Sequence, residues 1–333
     1  MTTLRGGLGG GGTGHTSYRT HLVPSTEGAT VALHHLTPPG QAADPDAGST
    51  PGKVSQPILL FAHPTGFHGM VWAPVGRRLS DVADCWALDI RGHGDSSLPA
   101  SGTPLWDGAA DDVLAVIDWI VGQDGDGSGG HRLYGVGHSM GGAALLLTEQ
   151  TRPGTWGGLW CYEPIVFPVS RLAEPPSDRD RPAPAQPVPR ANPMAAAARR
   201  RKAVFPSRET ALLNYGAKPP LGALDPEALE AYVTHGFRDL PEGAVELKCA
   251  PETEARFFES GISHDVWNHL GQVHCPTTVA AGGDGAPPAQ IAPKLAAELP
   301  AGRFVPFPEL SHFGPMEEPA TIAAAIRSQL LTA

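Results

Sequence analysis

The chain is sparing in several features that would commit it to a particular class. Its four cysteines, at 85, 161, 249 and 275 of 333 residues, show no C-x-x-C spacing. A chain this long builds its core without a disulfide framework, so reduced, buried thiols in a cytoplasmic protein are expected, and a structural zinc site is not. No apolar run reaches the roughly 18 residues that a membrane span needs, and the opening "MTTLRGGLGGGGTGHTS" has no apolar h-region. Membrane insertion and export are both disfavoured. Charge of one sign is lacking too: 34 acidic against 24 basic residues give a net charge of -10 with no long block of either, which leaves a nucleic-acid role without electrostatic support.

What the chain has is punctuation and alternation. Residues 1–17 are too rich in glycine to bury anything and are expected to be flexible, and residues 37–56 read as a Pro/Gly linker. Between them, "YRTHLVPS" and "ATVALHHL" read as two strands joined by the turn "TEG". After Gln56, short apolar runs alternate with helical patterns: "PILLFAH", a helix near "VWAPVGRRLS", "CWALDI", the helix "GAADDVLAVIDWIVG", "HRLYGVG", the helix "MGGAALLLTEQT" and "WGGLWCY". Strands apolar on both faces and separated by helices imply a parallel sheet covered on both sides.

From Pro164 to about residue 263 the alternation stops. A Pro-rich stretch leads into helical patterns at "MAAAARRRKAVF", "SRETALLNYG" and "DPEALEAYVTHGF", the last with Asp225 as N-cap and Pro226 at the first helical position. This segment reads as a helical insertion. Alternation resumes with "CPTTVAAGG", "APPAQIAPKLAAELP", "RFVPFPE" and the helix "EEPATIAAAIRSQLL".

One motif interrupts the apolar pattern with a purpose. "GVGHSMGG" sets Gly137-His138-Ser139-Met140-Gly141 between a strand and a helix, where a tight turn with small neighbours projects the serine at the helix N-terminus. A serine hydroxyl is a poor nucleophile near neutral pH and needs a histidine within reach, normally oriented by an acid. His312, in "PELSHFGPMEEP" between the last strand and the last helix, is the candidate base; His93 and His138 read as packing and hydrogen-bonding supports.

Together "GHSMGG", "DIRGHGDS", "HPTGFHGMVW" and "LSHFGPMEEP", in this order, resemble the α/β-hydrolase family. The resemblance covers residues 57–163 and 264–333 and implies an α/β-hydrolase fold: a mostly parallel sheet flanked by helices, with a core at 18–163 and 264–333. Residues 164–263 would be a helical cap inserted after the sixth strand. It implies further that the backbone N–H groups of Thr65, in His63-Pro64-Thr65-Gly66, and of Met140 form an oxyanion hole, with Gly66 and Phe67 as alternatives to Thr65. The acid has two candidates. Asp284 in Gly282-Gly283-Asp284 stands near the family's commoner position but one residue short of its Gly-x-x-Asp spacing. Glu163 in "YEPIVFP" matches the position used by some dehalogenases and lactonases, and a carboxylate set among apolar residues calls for a partner such as a histidine ring N–H. Glu163 is favoured, with Asp284 as the alternative.

The reaction implied is hydrolysis of a small-molecule carboxylic ester, thioester or lactone through an acyl-enzyme on Ser139, with no metal or organic cofactor. Alternatives on the same scaffold are a C–C bond hydrolase, a lyase, a cofactor-free perhydrolase or a slow-turnover ligand receptor. The basic run Arg199–Lys202 reads as an exposed helix face, the alternative being a site for a substrate carboxylate, and Phe205, Leu212, Leu213, Phe257 and Phe258 as the small core of the cap, the alternative being an acyl pocket. Nothing in the sequence indicates an oligomeric state.

Overall fold

The computed structural model describes residues 18–37, 56–102, 106–123, 132–168, 192–261 and 264–331. The glycine-rich N-terminal stretch, most of the 37–56 linker and the Pro-rich stretch of the insertion fall outside them. Two strands, β1 (Arg19–Pro24) and β2 (Thr30–His35), form an antiparallel pair joined across Thr26–Gly28. The alternating series follows: β3 (Ile58–Ala62), α1 (Ala73–Arg77), β4 (Asp84–Asp89), α2 (Trp106–Gly122), β5 (Leu133–His138), α3 (Met140–Thr151) and β6 (Gly158–Tyr162). After the insertion come β10 (Thr277–Gly282), α8 (Pro287–Glu298), β11 (Gly302–Phe307), α9 (Gly314–Glu317) and α10 (Pro319–Leu330).

These strands make one eight-stranded sheet in the order β1-β2-β4-β3-β5-β6-β10-β11. β2 meets β4 antiparallel, and from β4 onward the pairing is parallel. The all-apolar strand "ILLFA" has every residue buried, as expected where helices cover both faces. One face packs against α2, α3 and α8 through residues such as Val113, Leu145 and Leu295. The other packs against α1 and α10 through Val75, Ile322 and Ile326. The parallel strands β3, β5, β6 and β10 run the same way, so the loops after Ala62, His138, Tyr162 and Gly282 collect at one edge of the sheet, where open α/β sheets place their sites.

The insertion between β6 and β10 is not purely helical. It contains α4 (Pro193–Arg199), β7 (Val204–Phe205), α5 (Arg208–Gly216), α6 (Pro226–Gly236), β8 (Phe237–Asp239), β9 (Val245–Leu247) and α7 (Pro251–Ser260). The three strands form a separate antiparallel sheet in the order β7-β9-β8. The sequence hides them because each is two or three residues long, too short to display an alternating pattern. The helix read through "MAAAARRRKAVF" ends at Arg199, and Val204 and Phe205 pair with Glu246 and Val245 instead. Phe205 and Phe257 are buried, but in the two main cores beside the sheet rather than in a core of the insertion's own; Phe258 packs against the small cluster Ala195, Ala198 and Ala255, and Leu213 is 68% exposed.

Candidate active site

Ser139 links β5 to α3 with φ 55° and ψ -115°, a left-handed conformation that costs a non-glycine residue about 1–3 kcal/mol. The neighbours are small for a reason. A Cβ on Gly141 would lie 2.3 Å from the carbonyl oxygen of Ala62, so only glycine lets the start of α3 sit this close to the end of β3. The elbow is also tied to the next strand end: Ser139 N–H donates to the Tyr162 carbonyl at 2.9 Å, and the Ser139 carbonyl accepts from Ile165 N–H at 3.2 Å.

His138 and Tyr162 are register partners on β5 and β6, so the residues that follow them, Ser139 and Glu163, emerge side by side. Glu163 is fully buried, with φ 44°. Its Oε2 accepts a hydrogen bond from His312 Nδ1–H at 2.6 Å, and its Oε1 accepts from Gly282 N–H at 2.8 Å. A carboxylate oxygen only accepts, so this contact places a ring proton on Nδ1, and in the neutral ring the lone pair is then on Nε2. The His312 side chain is 20% exposed. Its backbone is fixed as well, because its own N–H donates to Asp284 Oδ2 at 3.0 Å. Asp284 is exposed and uses Oδ1 to accept from Ala286 N–H at 3.0 Å. Both candidate acids therefore touch His312, but only Glu163 touches the ring.

His138 is fully buried, with its ring 4.9 Å from that of His312, which brings the imidazole to the end of β5 beside the elbow. Burial, followed by the proximity of His312, pushes the His138 pKa well down. Among the described residues the Ser139 hydroxyl makes no hydrogen bond, to His312 or to any other group. Catalytic hydrogen bonds of this kind commonly tighten only when substrate is bound.

The loop after β3 faces the elbow. Two of its N–H groups are occupied: Gly66 N–H donates to His93 Nε2 at 3.1 Å, and Phe67 N–H donates to the Pro64 carbonyl at 3.2 Å. Among the described residues, the N–H groups of Thr65 and of Met140, the first residue of α3, have no partner. The "DIRGHGDS" stretch underlies this loop. Asp89 Oδ1 accepts from Gly69 N–H at 2.6 Å, and His63 Nε2 accepts from Ile90 N–H at 2.9 Å. Desolvation lowers the pKa of His63 to about 3 and of His93 to about 4, in keeping with Nε2 serving as acceptor in both rings.

Three residues of the insertion reach this loop without having been singled out as site residues: Arg201, Tyr232 and Glu254. Arg201 corrects the exposed-face reading of "RRRK". Arg199 does lie on the surface, paired with Glu252 and Glu259, but the Arg201 side chain is only 19% exposed and pairs with Glu254. Its guanidinium also donates to the hydroxyls of Tyr215 and Tyr232. No sequence signal separates two arginines two positions apart where the helix has already ended; tertiary contacts decide it. Among the described residues no group of three His, Cys, Asp or Glu side chains is placed to hold a metal ion, and no helix is long and apolar enough to cross a membrane.

An eight-stranded, mostly parallel sheet with a strained serine at a strand-to-helix elbow defines the α/β-hydrolase class of fold. The chain belongs to the alpha/beta hydrolase family, whose profile matches residues 59–325. It is 37% identical over 89 residues to 2-(acetamidomethylene)succinate hydrolase from Mesorhizobium japonicum, a match that spans 27% of this chain and 29% of that protein. Among solved structures, E-2-(acetamidomethylene)succinate hydrolase superposes with a TM-score of 0.67 at 17% identity, over 94% of this chain and 99% of that one. An esterase from Thermogutta terrifontis gives a TM-score of 0.61 at 20% identity, over 93% and 97%.

Proposed function

We propose that the protein is a serine hydrolase that cleaves a small-molecule carboxylic ester, thioester or lactone through an acyl-enzyme on Ser139. The observation that carries this reading is the buried Glu163 carboxylate on His312 Nδ1 at 2.6 Å, at the strand end next to a strained serine. His312 Nε2 takes the Ser139 proton as the hydroxyl attacks the carbonyl carbon. The same nitrogen returns that proton to the leaving group, then activates the water that releases the acid. Glu163 holds the ring in the required tautomer and stabilises the imidazolium. The N–H groups of Thr65 and Met140, which have no partner among the described residues, are the donors for the oxyanion, and α3 adds the positive end of its dipole. In this reading residues 164–263 are a cap whose walls select the substrate, and Asp284 fixes the backbone of His312 rather than its charge.

The test is turnover of a panel of p-nitrophenyl esters and lactones, with 2-(acetamidomethylene)succinate included because the partial relative is named for it. Ser139→Ala should lower kcat by at least about 10⁴-fold. Undiminished turnover in that variant contradicts the assignment.

A further inference from the structure

Tyr232, on α6 of the insertion, touches three consecutive residues of the loop that carries Thr65. Its hydroxyl donates to the Gly66 carbonyl at 3.5 Å, its ring centroid lies 4.9 Å from that of Phe67, and its carbonyl accepts from His68 Nε2–H at 3.1 Å. Gly66, Phe67 and His68 of the loop and Tyr232, Gly236 and Leu247 of the insertion line a small cavity of about 10 Å³.

The hydroxyl is itself aimed. Arg201 donates to the Tyr232 oxygen, which leaves the single O–H proton to the remaining acceptor, the Gly66 carbonyl. Arg201 is in turn paired with Glu254, whose Oε1 lies over Gly66: a Cβ there would approach it to 2.5 Å, and the Gly66 φ is 80°. Gly66 is thus held from two sides, through its N–H by His93 of the core and through its C=O by Tyr232 of the insertion. α6 is fixed to the core independently of these contacts, by Glu227 with Arg77 at 2.8 Å and by Asp225 N–H with the Met316 carbonyl at 2.9 Å.

We propose that Tyr232, oriented by the Arg201–Glu254 pair, is a positioning residue that clamps Gly66 and thereby sets the direction of the Thr65 N–H, so that the insertion completes the oxyanion hole. The inference rests on the hydrolase reading above. It concerns an interaction realised in the transition state, so its signature is a loss in kcat at unchanged KM.

Tyr232→Phe keeps the ring against Phe67 and the main-chain bond to His68 and removes only the hydroxyl. On an ester that the wild type turns over, kcat should fall about tenfold, short of the 10²–10³-fold for losing an oxyanion donor outright, with KM within about twofold. Amide hydrogen exchange in peptides covering residues 64–69 should speed up. Arg199→Gln, in the same basic run but at the surface, should change neither. An unchanged kcat, a loss carried by KM alone, or unchanged exchange overturns the clamp. If the wild type turns over no ester or lactone, the hydrolase reading fails instead, and the exchange comparison still decides whether the hydroxyl holds the loop.

Discussion

The loops after β6 and β10 leave neighbouring strands, and each delivers a carboxylate to His312, yet they grip different parts of it. Glu163 is fully buried and takes the ring; Asp284 is exposed and takes the backbone N–H. The difference begins with where each chain turns. Glu163 follows Tyr162 with φ 44° and drops beneath the histidine, while Gly283 N–H is drawn to the Leu310 carbonyl at 2.8 Å, which leaves Asp284 at the rim. A carboxylate near a histidine is therefore not enough. The buried one meets the ring in a low-dielectric setting, where its charge matters most to an imidazolium.

The largest effect is expected from Glu163→Gln, which should lower kcat/KM by about 10³–10⁴-fold, read as initial rates on the best ester. Equal losses in Glu163→Gln and Asp284→Asn would erase the distinction. The role of burial is sharpened by acid stability. His63, His68 and His93 are fully buried, and desolvation depresses their pKa values from 6.5 to about 3, 4 and 4. Their folded forms resist protonation while the unfolded chain accepts it, so stability is full above about pH 6.5 and is lost as pH falls toward 4. At pH 5 each such histidine costs about 2 kcal/mol, visible as a lower urea midpoint than at pH 7. A midpoint that rises between pH 7 and 5 would contradict these environments. The smallest effect is expected from Asp284→Asn: kcat/KM within about threefold of wild type, because an amide oxygen still accepts the His312 N–H.

Much of this arrangement is legible before any coordinates. The β3-to-β6 alternation shows because its strands are largely buried on both faces and because α2 and α3, at 17 and 12 residues, are long enough for a period to register. The elbow shows because glycine at 137 and 141 answers a close backbone approach that no side chain permits, with a serine set between them. Glu163 is legible for a different reason, as a charge among apolar residues that needs a partner. What stays hidden is whatever depends on tertiary contact alone. The β7-β9-β8 sheet has strands too short to carry a pattern, and the "RRRK" run gives no hint that its third arginine turns inward. The reach of Tyr232 to Gly66 crosses 166 residues. Thr65 is intermediate: the motif suggests it, and among the described residues its N–H is unpaired while those of Gly66 and Phe67 are engaged.

In the proposed reaction one strained serine is made nucleophilic by His312. Labelling with a fluorophosphonate, followed by peptide mapping, tests it most directly. A single adduct on Ser139 is expected, absent in Ser139→Ala and formed at least about 10³-fold more slowly in His312→Ala. An adduct on another residue, or labelling of Ser139 at the wild-type rate without the imidazole, would contradict it.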